Sequence, residues 1–343
     1  MSKSNKTVLV TGVSGFVALQ TAIELLNNGY KVRGTVRSMK KADRVRELLA
    51  MHTDVSSLEF VATDLLSDEG WDEAVAGCDY VAHIASPFPL SPPKDENELI
   101  KPAVEGTLRV LKSASKGGVK RFVQTSSTMA VAYGHPHDRI EPFTENDWTN
   151  VIDQGVSAYA KSKTLAEQAA RKFMSEYSGP MTYASVNPGF ILGPVIDKNL
   201  GSSAGLVLNL LNGKYPGTPR LSMFCVDVRD VAKCHRLAME NDGSGLDRFI
   251  ASDRAIWFRD FAQAIRDGLE ERARKVPKRQ LPDFVVRLIA LFDPDVRSVL
   301  PDLGRAVIVD NTATKDALNI DFIPTEEAVV ATAQSLIDLD LIN

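Results

Sequence analysis

Short apolar segments and longer amphipathic segments alternate through the first half of the chain. The first apolar segment, Thr7–Val10, is short, β-branched and soon followed by Gly12, as expected of a buried strand. Residues 15–28 have a helical pattern that ends at Gly29. Strand-like segments then recur at 31–36, 58–62, 79–84, 120–125 and 181–187. This order predicts an α/β fold with a doubly wound, parallel, Rossmann-type sheet covered by helices on both faces.

A change in composition near residue 188 predicts two regions. Glycine and proline become frequent after this point, and we expect strands and helices to stop alternating there. Residues 1–188 are therefore expected to form one domain around the parallel sheet. Residues 189–343 are expected to form mainly a smaller C-terminal region, with segments such as 247–251 returning to the main sheet. Ligands of a doubly wound sheet bind at the carboxyl ends of its strands.

Charge and cysteine content argue against several classes of protein. The formal net charge is −4 and the basic residues are spread along the chain, so no patch predicts binding to nucleic acid. Cys78, Cys225 and Cys234 lie far apart and form no cluster with histidine, which predicts neither disulfides nor a metal site. The most apolar stretch, 284–292, contains Arg287 and is too short to span a bilayer. We expect a cytoplasmic protein that does not bind membranes.

Two glycines follow the first strand at the spacing of a dinucleotide-binding loop. Residues 11–18 read Thr-Gly-Val-Ser-Gly-Phe-Val-Ala. Gly12 suits the tight turn, Gly15 lets the backbone approach a pyrophosphate, and Ala18 permits close packing of helix on strand. The helix that follows points its free N–H groups at the phosphates. Glycine pairs also serve simply as turns, so it is the position between first strand and first helix that favours dinucleotide binding.

The end of the second strand indicates which dinucleotide is bound. An acidic residue there holds the ribose 2′-hydroxyl of NAD, whereas an arginine accommodates the 2′-phosphate of NADP. Residues 31–38 contain no acid, Arg37 stands at the strand end, and Lys41 follows. These charges also fit a solvated basic loop, but the pattern favours NADP(H). Asp64 ends the third strand, where it either meets the adenine edge or caps a helix.

A tyrosine, a lysine and a serine form the candidate catalytic group. Tyr159 and Lys163 are four residues apart in a segment rich in helix formers, so they share one helix face. A phenol with a pKa of about 10 is a poor catalyst at neutral pH, and an ammonium beside it is expected to lower that pKa. The spacing alone also fits a surface helix with a solvated lysine. Ser127, after the fifth strand, can donate to a substrate oxygen or form only a turn.

Taken together, these motifs give the chain a resemblance to a known family. It resembles the extended short-chain dehydrogenases/reductases and, within them, the dihydroflavonol-reductase-like group with its plant reductases and microbial aldehyde and ketone reductases. The segments that carry the resemblance are residues 11–18, 34–38, 83–87, 102–107, 125–127, 159–170, 187–194 and 226–232. It extends over the whole chain and is thinner after residue 235.

The resemblance implies a role for each matching residue. Ser127, Tyr159 and Lys163 are the expected catalytic residues, with Tyr159 as proton donor and Lys163 as its partner at the nicotinamide ribose. The residues expected to bind NADP(H) are Gly12, Ser14, Gly15, Phe16, Val17, Arg37, Lys41, Asp64, Leu65, Ala85, Tyr159, Lys163, Pro188 and Ile191. Among these, Asp64 and Leu65 flank the adenine, while Pro188 and Ile191 border the nicotinamide ring. Residues 1–188 are then the NADP-binding domain and residues 189–343 mainly the substrate-binding region.

The expected activity is reduction of an aldehyde or ketone carbonyl by NADPH, with an apolar or aromatic small molecule as substrate. The candidate lining of its pocket is Phe88, Leu90, Met129, Val131, Phe190, Leu206, Leu210, Met223 and Phe224. The plant dihydroflavonol reductases have an asparagine five places after the catalytic serine, where this chain has Ala132, and a glutamine at about the position of Phe224. Flavonoid reduction is therefore not expected.

Two other activities are compatible with the motifs. A nucleotide-sugar epimerase or dehydratase uses the same scaffold, but the segment 195–225 offers few cations for a sugar diphosphate, namely Lys198, Lys214 and Arg220. A non-catalytic NADP-sensing protein typically lacks the tyrosine and lysine pair that this chain keeps. The chain is expected to be a monomer, or a homodimer formed through the helical segments 95–116 and 157–177.

Overall fold

Strand β1 (Thr7–Val10) shows why the central sheet is covered on both faces. Its side chains alternate between two hydrophobic cores, because successive residues of a strand point to opposite faces. Val8 and Val10 lie in one core, and Leu9 lies in the other. A strand buried on both faces is typical of the middle of a parallel α/β sheet.

The computed structural model describes residues 5–87, 95–241, 245–293, 296–297 and 299–342. The strands after β1 are β2 Lys31–Val36, β3 Leu58–Ala62, β4 Tyr80–His83, β5 Arg121–Thr125, β6 Thr182–Pro188, β7 Phe190–Leu192, β8 Ser222–Asp227, β9 Arg248–Ala251 and β10 Arg254–Trp257. The α-helices are α1 Phe16–Asn27, α2 Ala42–Ala50, α3 Trp71–Val75, α4 Asn97–Lys116, α5 Ala158–Glu176, α6 Ser202–Leu211, α7 Val228–Glu240, α8 Phe258–Leu269, α9 Asp283–Ile289, α10 Thr312–Leu318 and α11 Thr325–Asp338.

The main sheet has seven parallel strands in the order β3-β2-β1-β4-β5-β6-β9. The order reverses between β1 and β4, which makes their carboxyl ends a topological switch point. Helices α1 and α7 pack together on one face, and α4 and α5 pack together on the other. The predicted doubly wound α/β fold is therefore confirmed.

The second half of the chain builds a smaller sheet beside the main one. Strand β8 pairs in parallel with β7 and antiparallel with β10. Helices α6, α8 and α11 cover this sheet and enclose a separate core. Strand β9 pairs with β6 of the main sheet, so the segment around 247–251 does return there.

The expected loss of alternation after residue 188 is wrong. Strands and helices still alternate from β7 through α6, β8 and α7 to β9. Several of the glycines and prolines of this segment stand in the short connections, such as Gly193, Gly201 and Gly213, and α6 forms in spite of Gly205 in its interior. The division of the chain at residue 188 stays a prediction.

Gly34 in β2 is a position where packing forbids a side chain. A Cβ atom added there would lie 2.6 Å from Cγ1 of Val13, in the loop that follows β1. Both residues are buried, so the contact cannot relax into solvent. The absent side chain at Gly34 lets the loop after β1 lie directly on β2.

Gly34→Ala is expected to lower the free energy of unfolding by about 1–3 kcal/mol, the usual cost of overpacking a core. Combining it with Val13→Ala removes the contacts with Cγ1 and Cγ2, at 2.6 and 3.2 Å, and leaves the contact with Cβ at 2.9 Å. The double variant should therefore be destabilised by less than the sum of the two single variants. Urea unfolding of the four proteins measures this coupling. Strictly additive effects would show that the two side chains do not compete for this space.

Candidate active site

The loop after β1 is shaped by a close approach of two strand ends. Gly12 has a φ of +65°, and a Cβ atom added to it would lie 2.9 Å from Cβ of Ala85, so both its conformation and its surroundings favour glycine. The N–H of Gly12 donates to Thr35 Oγ1 at 2.9 Å, and the N–H of Val13 donates to the Thr35 carbonyl at 3.0 Å. Two predicted cofactor residues, Gly12 and Ala85, therefore lie against each other, and Thr35 fixes the turn.

The amino end of α1 faces a narrow cleft. Gly15 is its N-terminal cap, and no side chain of the described residues caps the helix there. A helix N-terminus without a side-chain cap leaves N–H groups able to bind phosphate oxygens. Ser14 and Phe16 border the cleft, and Ile196 and Asp197 form its opposite wall. Val17 is half-buried against the main core. The predicted phosphate-binding residues are thus brought together at one helix end.

Thr11 and His83 support this loop and were not predicted from the sequence. Thr11 Oγ1 accepts hydrogen bonds from the N–H groups of Ile84 and Ala85, both at 2.9 Å. Its own proton is then donated to His83 Nδ1, 3.1 Å away, which places the histidine proton on Nε2. Burial and the nearby Lys163 charge lower the pKa of His83 to about 3. His83 is therefore a neutral support for the β1 and β4 strand ends.

The carboxyl end of β2 presents exposed cations. Arg37 and Lys41 are both exposed. Arg33 is engaged elsewhere, because its guanidinium donates to Glu59 at 2.6 Å and to the carbonyls of Ala74 and Ala76 at 2.9 and 2.7 Å. Arg37 and Lys41 are thus the predicted cations that remain open to a ligand at this strand end.

The predicted adenine-side residues follow β3. Asp64 is exposed, and its Oδ1 accepts the N–H of Leu66 at 2.9 Å. This bond closes a local turn and no helix begins at Asp64, so the alternative role of a helix cap is wrong. Leu65 is half-buried against Gly106 of α4. Both residues stand at the same sheet edge as the phosphate loop, one strand beyond Arg37.

Helix α5 carries both residues of the predicted tyrosine and lysine pair. It begins after Ser157, whose Oγ accepts the N–H of Ala160 at 3.2 Å and so caps the helix. Lys163 is 6% exposed, and its Nζ lies 5.9 Å from the centroid of the Tyr159 ring. The same Nζ donates to the carbonyl of Thr125 at 3.4 Å. The lysine therefore joins the tyrosine to the end of β5.

The pKa of Tyr159 is raised in this structure, and the expected net fall of that pKa beside Lys163 is wrong. Burial raises the pKa of Tyr159 to about 12. Burial also lowers the pKa of Lys163 to about 8, against an opposing influence of Glu167. Taking both groups out of water disfavours the phenolate and the ammonium alike. The phenol therefore keeps its proton at neutral pH.

Ser127 lies at the carboxyl end of β5, within reach of β6. Its Oγ accepts the N–H of Met129 at 3.1 Å and donates to the carbonyl of Pro188 at 3.4 Å. Asn187 donates from Nδ2 to the Ser127 carbonyl at 3.2 Å. The neighbouring Ser126 donates instead to Glu167 at 2.6 Å. Of the two serines, Ser127 has the hydroxyl with the longer donor bond, which is easier to redirect.

Residues of the second half complete the environment of the site. Pro188 is buried at the end of β6, and Ile191 in β7 is half-buried against the main core. Met129, Phe190, Leu206 and Met223 are half-buried, as expected of a pocket wall. The lining prediction is wrong for Val131, Leu210 and Phe224, whose side chains are buried in hydrophobic cores. Phe88 and Leu90 lie outside the described residues.

Comparison with known proteins gives the class of this chain. Residues 8–249 match the NAD dependent epimerase/dehydratase family. A cinnamoyl-CoA reductase of Medicago truncatula is 32% identical over 98% of this chain and 98% of its own length. A putative NADPH-dependent methylglyoxal reductase of Candida albicans is 32% identical over 80% of this chain and 86% of its own length. The crystal structure of yeast methylglyoxal/isovaleraldehyde reductase complexed with NADPH superposes with a TM-score of 0.81, at 26% identity, covering 98% of this chain and 100% of that one.

The fold and these matches define an NADPH-dependent reductase of the extended short-chain dehydrogenase/reductase type. The chain belongs to the NAD dependent epimerase/dehydratase family, and its resemblance to the dihydroflavonol-reductase-like group is confirmed.

None of the helices described is long and apolar enough to cross a membrane. Within the described ranges, no group of three or more histidine, cysteine or acidic residues is placed to hold a metal ion.

Lys163→Met is expected to stabilise the protein at neutral pH. The lysine pKa is about 8 in the folded chain and 10.5 ordinarily, so below pH 8 the folded state bears the full cost of a buried ammonium, about 3 kcal/mol. That cost falls as the pH rises from 8 to 10.5, because the folded lysine is then neutral while the unfolded one is still charged. Urea unfolding at pH 7 and pH 10 should show a large gain for the variant at pH 7 and a smaller one at pH 10. A gain that does not depend on pH would contradict the lowered lysine pKa.

Proposed function

We propose that this reductase transfers hydride from NADPH to the carbonyl carbon of an aldehyde or ketone, with Tyr159 as the proton donor. The observation that carries the proposal is the convergence of Ser127, Tyr159 and Lys163 at the carboxyl end of β5. This is the same edge of the sheet as the loop that follows β1. Bound NADPH supplies the hydride. The chain itself supplies the proton, the orientation of the carbonyl oxygen and the exclusion of water.

The raised pKa of Tyr159 suits the direction of reduction. A phenol that is protonated at neutral pH can give its proton to the oxygen on which negative charge develops. The Lys163 ammonium beside the ring then stabilises the phenolate left behind, and this requires the lysine to be protonated. Ser127 orients the substrate carbonyl oxygen by donating its hydroxyl proton to that oxygen in place of the Pro188 carbonyl, to which it makes a long hydrogen bond of 3.4 Å.

The cofactor residues fall into four groups, for the pyrophosphate, the 2′-phosphate, the adenine, and the ribose with the nicotinamide ring. Gly12, Ser14 and Gly15 receive the pyrophosphate at the amino end of α1, while Phe16 and Val17 form the first turn of that helix. Arg37 and Lys41 contact the 2′-phosphate, and Asp64 and Leu65 flank the adenine. Ala85, Pro188 and Ile191 border the ribose and the nicotinamide ring, to which Lys163 also contributes. The uncapped helix end and the exposed cations support these assignments.

The substrate is proposed to be apolar or aromatic. The half-buried residues Met129, Phe190, Leu206 and Met223 offer hydrophobic surface near the site, and each methylene buried there contributes roughly 0.8 kcal/mol. Ala132 is buried and has no side-chain amide, so hydroxyl groups of a flavonoid ring lack a side-chain partner at this position. Arg220 is already paired with Asp283 at 2.6 Å, which disfavours a role in binding a sugar diphosphate.

A panel of carbonyl compounds followed by nicotinamide absorbance tests the activity. We expect kcat/KM to rise from small aliphatic aldehydes to aryl and bulky aldehydes or ketones.

Tyr159→Phe should lower kcat by about 10²–10⁴-fold, since it removes the proton donor, while NADPH binding measured by fluorescence stays nearly unchanged. A Phe variant as active as the wild type would remove Tyr159 from the mechanism. Activity confined to sugar nucleotides would favour an epimerase or dehydratase instead.

Arg37→Ala tests the 2′-phosphate assignment. Because an arginine–phosphate pair is a charge-assisted contact, the variant should raise KM for NADPH much more than KM for NADH. Lys31→Ala is the matched control, since Lys31 is exposed at the opposite end of the same strand and changes the net charge equally. Equal effects of Arg37→Ala on both cofactors would assign the phosphate to Lys41.

A further inference from the structure

A fully buried carboxylate lies one helical turn beyond Lys163. Glu167 is 0% exposed and continues the spacing of Tyr159 and Lys163 along one face of α5. Its oxygens accept hydrogen bonds from Ser126 Oγ at 2.6 Å, Arg248 Nε at 2.7 Å, Asn187 Nδ2 at 2.8 Å, Ser185 Oγ at 2.9 Å and Arg171 Nε at 3.2 Å. These donors belong to β6, β9, α5 itself and the segment after β5, so one side chain joins four parts of the fold.

Arg248 connects this carboxylate to the segment that follows Ser127. It is 4% exposed at the start of β9, and its Nη2 donates to the carbonyl of Ala130 at 3.1 Å. Its Nη1 donates to the carbonyls of Glu145 and Asp147 at 2.7 and 2.5 Å. The single planar guanidinium therefore binds both the segment that follows Ser127 and residues 145–147, which precede α5 in the chain.

The serine loop, residues 126–133, is held rigidly by these and other contacts. Thr149 Oγ1 donates to the Met129 carbonyl at 2.7 Å, and its N–H donates to the Ala130 carbonyl at 3.1 Å. Arg305 Nη2 donates to the Ala132 carbonyl at 2.9 Å. The carbonyls of Met129, Ala130 and Ala132 thus accept hydrogen bonds from residues outside the loop. Arg248 and Asn187 each bind both the loop and Glu167 of helix α5.

We propose that Glu167 and Arg248 are positioning residues, whose buried ion pair fixes the serine loop against the Tyr159 and Lys163 face of α5. The inference rests on the proposed function, because it concerns the geometry of that reaction. Neither side chain contacts the substrate; each acts through Ser126, Ala130 and the helix. A displacement of about 1 Å between reacting groups can cost about 10²-fold in rate. The ion pair therefore matters more for fixing Ser127 relative to Tyr159 and Lys163 than for its effect on stability.

The nature of the interaction supports a positioning role. A buried ion pair is commonly no more stabilising than well-packed apolar side chains of the same volume. What apolar residues cannot supply is directional bonding to Ser126 and to the Ala130 carbonyl at the same time. The guanidinium also stacks on Trp148, 3.8 Å from the ring centroid, which fixes its plane.

The charge of Glu167 also reaches the catalytic lysine. It raises the pKa of Lys163, while burial lowers it. The other titratable groups that face Lys163 are Tyr159 on the same helix and the neutral His83 on β4. Removing the carboxylate charge should therefore lower the pKa of Lys163 and move the alkaline limb of the kcat/KM profile to lower pH.

The test compares Arg248→Lys, Arg248→Met, Glu167→Gln and the double variant Glu167→Leu/Arg248→Met. Arg248→Lys keeps the charge but loses the planar fork, so we expect kcat to fall about 10–100-fold with KM and NADPH affinity changed far less. The double variant removes both charges, so its stability should recover relative to Arg248→Met while its kcat stays low. Glu167→Gln should shift the alkaline limb to lower pH.

Arg236→Met is the matched control. Arg236 also bridges two elements, donating to Glu24 of α1 at 2.7 Å and to Glu240 of α7 at 3.0 Å. Among the residues that the structure describes, it makes no hydrogen bond to the serine loop. It should lose stability without losing kcat. Thermal unfolding and NADPH fluorescence establish whether each variant is folded. If the other variants do not fold, Arg248→Lys, the mildest change, still tests the inference.

Three outcomes overturn the inference. The first is a wild-type kcat in a folded Arg248→Lys or Arg248→Met variant. The second is recovery of kcat together with stability in the double variant, which would mean that the pair acts through stability alone. The third is a wild-type protein that reduces no carbonyl compound, which rejects the proposed function and this inference with it. If the wild type is active and the Tyr159→Phe variant is inactive, the proposed function stands. The first two outcomes then test the role of the ion pair by itself.

Discussion

Parallel pairing of four neighbouring strands is the constraint on which the proposed site depends. Strands β1, β4, β5 and β6 are paired in sequence order across the sheet, so their carboxyl ends meet at one edge. That edge receives the phosphate loop, Ala85, Ser127 and Pro188 from four different strands. A parallel ladder cannot slip by one residue without turning every side chain to the opposite face. The two hydrophobic cores on either side of β1 thus hold the register that aligns the site.

Much of this arrangement could be predicted because its signals are local. The strand pattern, the two glycines at Gly12 and Gly15, and the spacing of Tyr159 and Lys163 each lie within about eight residues of sequence. Helix and strand periods convert such spacings directly into shared faces. Six of the seven strands of the main sheet and the placement of Ser127 at a strand end followed from these patterns, and the seventh strand, β9, was expected as a segment that returns to the sheet.

The parts that were missed depend on partners far apart in the chain. Thr11 meets His83, and Glu167 meets Arg248, and no periodicity connects such pairs. Burial was equally invisible, so the pKa of Tyr159 was expected to fall whereas enclosure raises it. Leu210 was expected at a pocket wall because it is apolar, but in α6 it faces the core shared with α8 and α11. Hydrophobic character does not tell which side of a helix is covered.

The return of β9 to the main sheet has a consequence for how the chain is made. During synthesis, the first 188 residues emerge with six of the seven strands of the main sheet, and with Glu167 already in place on α5. Arg171 on the same helix is already available to pair with it, whereas its second arginine partner, Arg248, is made 60 residues after that point. Until then the nascent sheet has a vacant edge beside β6, and Glu167 lacks the donor that β9 supplies. The final closing of the interior therefore waits for a strand from the second half, which links completion of the nucleotide-binding sheet to folding of the region beside it.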